Sequence, residues 1–150
     1  MLLIKETQSL ERPRNYYKMD DSKNKHVYSI VLLKEAIIKN PVVTKDHKLF
    51  EESLILISIS ENLLRDKEKF LIFIRNLVQN NEEIYPNEFG EMVIWKLAKI
   101  IDVFEISEDI EFSLPFQEVY SRFLEMPANA SIDDVVNKFY SDYVWEDKEM

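Results

Sequence analysis

The sequence predicts an all-α fold: a compact single-domain bundle of six or seven helices with short loops. Three observations carry that expectation. The 150 residues include one glycine, where average usage would supply about ten, and hairpin turns, bulges and phosphate loops draw on glycine for positive φ. Apolar residues recur at three-four spacing along much of the chain. Ser, Asn and Asp stand ahead of several of these stripes, where helix caps belong. Sandwiches, Rossmann-like folds and P-loops are disfavoured on the same grounds. An apolar content of 46% with 12% aromatics is enough to fill one core.

The expected elements run as follows. Residues 1–25 form a short apolar start and an irregular basic arm, polar from Leu10 and carrying Pro13. The helical body occupies 26–150. Its first helix, His26 to Asn40, buries Val27, Ile30, Val31, Lys34, Ile37 and Ile38 and stops at Asn40-Pro41. A second begins near Thr44 to Asp46 and carries Leu49, Phe50, Ser53, Leu54 and Ile57. Its end, Leu54 to Ile59, is β-branched enough for a strand, but the continuing stripe favours helix. Ser60 caps a third, Glu61 to Gln79, with Leu63, Leu64, Phe70, Leu71, Ile74, Leu77 and Val78 on its apolar face.

Asn80 to Pro86 interrupts, and Asn87 then caps Glu88 to Ile101, with Phe89, Ile94, Leu97, Ala98 and Ile101 inward. Glu88 and Glu91 fall in its first turn, where the helix dipole favours acids, and Gly90 sits inside it at a close helix crossing. Ser107-Glu108-Asp109 starts another helix, and Pro115 opens one through Phe123 or Leu124. Ser131-Ile132-Asp133-Asp134 is a capping box for the last, through Val135, Val136, Phe139 and Tyr143. No repeat or linker divides the chain.

Motifs for chemistry are missing. Without cysteine there is no disulfide, thiolate metal site or cysteine nucleophile. Of two histidines, His47 with Glu51 is the one ligand-like helical spacing, too few groups for a metal. Adjacent acids such as Glu51-Glu52, Glu82-Glu83 and Asp133-Asp134 point to different sides of a helix. No catalytic residue, metal or cofactor is assigned, and the chain is read as not an enzyme. The arm interleaves Arg12, Arg14, Lys18, Lys23 and Lys25 with Tyr16 and Tyr17, as single-strand contact requires. A sequence pI of 4.8 opposes phosphate, so no direct nucleic-acid binding is expected. With no signal-like start and no membrane-length apolar run, a cytoplasmic protein without membrane contact is expected.

Charge is the most informative functional feature. Residues 1–50 carry 10 Lys/Arg and 6 Asp/Glu, residues 51–100 carry 6 and 9, and residues 101–150 carry 3 and 13. Such a gradient speaks to partners rather than to fold. Glu105, Glu108, Asp109 and Glu111, and further on Asp142, Tyr143, Trp145, Glu146 and Asp147, are the candidate partner-binding residues: acids for a basic protein, aromatics as anchors.

In this whole-chain character, small, acidic, cysteine-free, glycine-poor and rich in Lys, Ile, Asn and Glu, the sequence resembles the bacterial immunity proteins that accompany nuclease toxins of contact-dependent growth inhibition and colicin type. The resemblance implies an inhibitor whose acidic face docks over the basic nucleic-acid-binding cleft of a cognate toxin. Alternatives are a phage-type inhibitor or nucleic-acid mimic acting on a host enzyme, and a helical scaffold or regulatory subunit. An enzyme would instead show a deep pocket lined with ionisable groups of perturbed pKa. Oligomeric state stays open.

Overall fold

The computed structural model describes residues 25–106 and 116–148. They do not form a helix bundle. The chain folds as a five-stranded antiparallel sheet in the order β3-β4-β1-β2-β5, curled into a half-barrel. Strands β1 (Lys25–Lys39), β2 (His47–Ser60), β4 (Met92–Glu105) and β5 (Phe116–Pro127) are long, and β3 (Tyr85–Pro86) is a two-residue edge piece. Helices α1 (Glu61–Arg65) and α2 (Lys67–Asn81) follow β2, α3 (Ile132–Phe139) follows β5, and a 3-10 turn spans Trp145–Asp147.

The apolar stripes are real, but most are strands covered on both faces. Tyr28, Ile30 and Leu32 of β1 join Ile55, Ile57 and Ile59 of β2 and Ile100 of β4 beneath Phe70, Ile74 and Val78 of α2. The next residue of β1, Leu33, points the other way. It packs with Phe50, Ile101, Leu124 and Met126 against Val135 of α3 and Val144. A strand buried on both sides reads as a near-continuous apolar run, and such a run satisfies a helical period as easily as a strand's.

The curl comes from bulges. Against β1, the register of β4 shifts between Val31 and Leu32 and again between Leu33 and Lys34, which leaves Ile101 and Ala98 as extra residues. Against β2, β5 shifts between Leu54 and Ile55 and leaves Val119 extra. Each extra residue bends its strand and increases its twist. The bending brings Trp95 of β4 onto Phe123 of β5, ring centroids 5.8 Å apart, although β1 and β2 lie between those strands in the sheet.

Several expectations are therefore overturned. The helices placed at His26 to Asn40, from Thr44–Asp46 to Ile57, at Glu88 to Ile101 and from Pro115 to Leu124 are β1, β2, β4 and β5. Leu54 to Ile59 is strand, as its β-branched content favours. Asn87 caps no helix: its Oδ1 accepts from the amides of Phe89 and Glu91 and closes a turn in which Gly90 takes φ +77°. The helical description of 26–150 falls with these elements. Ser60 does cap a helix, bonding the Leu63 amide at 3.2 Å, but the single helix expected over Glu61 to Gln79 is two, the second capped by Asp66. The capping box between Ser131 and Asp134 is present, though its helix ends at Phe139, short of Tyr143. The helix start at Ser107 and all but Lys25 of the basic arm lie outside the described residues. Among the described residues no helix is long and apolar enough to cross a membrane.

Candidate functional site

The structure divides the predicted partner-binding residues. Glu105 is exposed at the end of β4, its carboxylate 3.1 Å from His26 Nδ1. Glu108, Asp109 and Glu111 lie outside the described residues. Asp142 and Tyr143 are exposed after α3. Trp145, Glu146 and Asp147 are engaged within the chain. The Trp145 ring meets Phe70 edge-on at 5.4 Å, and Lys67 Nζ sits 4.6 Å above it. Glu146 accepts from the Ile100 amide at 3.0 Å, beside the Ile101 bulge, and Asp147 pairs with Lys99 at 2.7 Å. Val144 belongs to one core cluster and Trp145 packs on the other, so this segment wraps the outer edge of β4. Trp145→Ala is accordingly expected to destabilise the fold by about 2 kcal/mol, the value of a partly buried aromatic in an edge-on pair, read as a lower denaturant midpoint.

A cluster that the sequence does not announce lies on the inner face beside α2. Lys34, 7% exposed, bonds Glu82 and lies 3.8 Å from Glu51. Buried Ser53 donates to Glu118. Burial pushes the Glu51 carboxyl up; Lys34 opposes the shift and the charges of Glu118 and Glu82 add to it. The adjoining cavity, bounded by Leu32, Lys34, Ile55, Leu77, Glu82 and Glu118, holds about 140 Å³, against about 300–1,000 Å³ for small-molecule sites. Among the described residues no three potential ligands are grouped to hold a metal. His47 turns to Asp46 and Glu125 rather than to Glu51.

Glu91, expected as a helix-start acid, is instead 2% exposed. Its carboxylate accepts from the amides of Val42 and Val43 at 2.6 and 3.3 Å, from Lys45 Nζ and from Asn87 Nδ2. Those bonds clasp the β1–β2 connection to the β3–β4 turn. The Asn87 and Lys45 bonds lead in drawing its pKa down from 4.5 to about 2. A depressed carboxylate stabilises the fold fully above its unfolded pKa and loses that contribution as pH falls through the folded value. Thermal midpoints should therefore drop between pH 4.5 and about 2, and Glu91→Gln should flatten that drop. A variant with the wild-type slope would show that Glu91 does not set it. Asn87-Glu88-Phe89-Gly90 is a turn signal that could have located this clasp.

β5 presents an exposed edge. It pairs with β2 on one side, and no other described strand lies on its outer side. Val119, Tyr120 and Phe123 are 49, 48 and 63% exposed along it. An edge strand with unpaired N–H and C=O groups and protruding apolar side chains is a template for another chain. In sequence this segment reads as a helix from Pro115 through Phe123 or Leu124, which hides a sheet edge. Comparison with known proteins finds no matching family model, no matching curated protein and no matching solved structure.

Proposed function

We propose that the protein is a protein-binding inhibitor that grips a basic partner through β5. The observation that carries this is the outer edge of β5, with Val119, Tyr120 and Phe123 exposed. A formal net charge of −9 supplies the long-range attraction to a basic surface. An immunity protein that neutralises a basic nuclease toxin by covering its nucleic-acid-binding cleft, acting in the cytosol, fits both features. An enzyme reading fits less well, because the cavity beside the raised Glu51 carboxyl holds only about 140 Å³.

The test is affinity capture from source-cell extract with the wild-type chain and with Val119→Lys/Tyr120→Lys, which places edge-blocking cations on β5. A basic protein should be retained at low salt and released as salt rises. The double variant should bind it at least about tenfold more weakly, with an unchanged melting temperature. Equal capture by the variant, or a partner indifferent to salt, would contradict the proposal.

A further inference from the structure

A second surface, independent of β5, lies between the end of α2 and the outer edge of β4. It is a groove of about 560 Å³, within the about 300–1,000 Å³ usual for small-molecule sites. Val78, Ile84, Trp95 and Leu97 give it apolar walls, and Lys39, Arg75 and Lys96 line it with Glu82 and Glu83. Four consecutive β4 residues, Ile94, Trp95, Lys96 and Leu97, border it. Successive side chains leave opposite faces of a strand, so a groove that meets four in a row runs along the edge and is open to the backbone. β3 pairs only with Met92 and Val93, and Glu146 takes the Ile100 amide. β1 pairs with the inner side of the stretch between, and among the described residues no strand pairs with its outer side, so its outward N–H groups are available donors.

The groove is also electrostatically out of balance. Glu82 is bonded to Lys34. Among the described residues Lys39, Arg75 and Lys96 enter no salt bridge, and neither do Lys25, Lys67, Lys138 and Lys148, which lie outside the groove. In a chain of net charge −9, three such cations around apolar walls reverse the local sign.

We propose that this groove binds a small amphipathic anion, an apolar body carrying one carboxylate. The body lies against Val78, Trp95 and Leu97. The head takes charge-assisted hydrogen bonds from the cations, with edge amides beside them. The probe is decanoate, titrated into the full chain by calorimetry and followed by indole fluorescence, with decanol as the neutral match. Decanoate should bind saturably with a dissociation constant below about 1 mM. Decanol should bind at least about tenfold more weakly, and Arg75→Gln/Lys96→Gln should weaken decanoate by a similar factor. Both side chains are exposed, so the melting temperature of the double variant should stay at the wild-type value. Equal affinity for decanol, an unaffected double variant, or no saturable decanoate binding would each overturn the proposal.

Discussion

Truncating Phe70 to alanine is expected to cost about 3–5 kcal/mol of folding stability, the range for a large aromatic removed from a closed core. Phe70 is fully buried. It is where α2 meets Ile30, Leu32, Ile55 and Ile57 of the sheet, and it also meets the Trp145 ring. Loss of the ring leaves a cavity between two layers and releases the C-terminal segment, so β4 should lose part of its edge cover as well. Ile72→Ala is the control. Ile72 lies on the same helix but is 52% exposed, and its truncation should cost no more than about 0.5–1 kcal/mol. Chemical denaturation of both variants checks the pair. Similar losses would mean that α2 does not rest on the sheet by the face described.

Replacing Lys34 with methionine should be comparably damaging for an electrostatic reason. The variant keeps the aliphatic stem and leaves Glu82 and Glu51 facing each other, partly buried, with no cation between them. Removing one partner of a buried ion pair typically costs about 3–5 kcal/mol, mostly the penalty of the stranded charge. The figure here belongs at the lower end, since Glu82 and Glu51 retain some solvent exposure. Lys34→Met/Glu82→Gln should recover a large part of the loss, and lowering the pH should rescue the single variant by protonating the acids. A single variant as stable as wild type would show that the cluster is solvated rather than buried.

Local signals in the sequence were legible and long-range pairing was not. Ser60 and Ser131 cap helices because a hydroxyl answering an amide three residues on is a local event. The face Phe70, Ile74 and Val78 is a true amphipathic period. The strands were misread for two physical reasons. β1 is enclosed between β4 and β2 and covered on both faces, so Val27, Ile30, Val31, Ile37 and Ile38 carry no alternation to betray it. Scarce glycine excludes many tight turns but not a few long strands. The connection after β1 takes its positive φ from Asn40 at 52°, and the connection into β4 uses Gly90. The same misassignment hid the site. A helix over Pro115 to Leu124 presents no sheet edge, and Trp145 and Glu146, expected to face a partner, instead secure the edge of β4. Of the expected acidic surface, Glu105, Asp142 and Asp147 are exposed, the last paired with Lys99.

The most direct measurement is residue-resolved amide hydrogen exchange across Phe116–Pro127. An open β5 edge predicts alternation: amides that pair with β2 exchange slowly, while the outward amides between them exchange near the rate of an unstructured chain. Every amide of the central strand β1 over Tyr28–Glu35, paired on both sides, should be slow. Uniform protection along β5, equal to that of β1, would show its outer edge to be occupied and would contradict the proposed docking site.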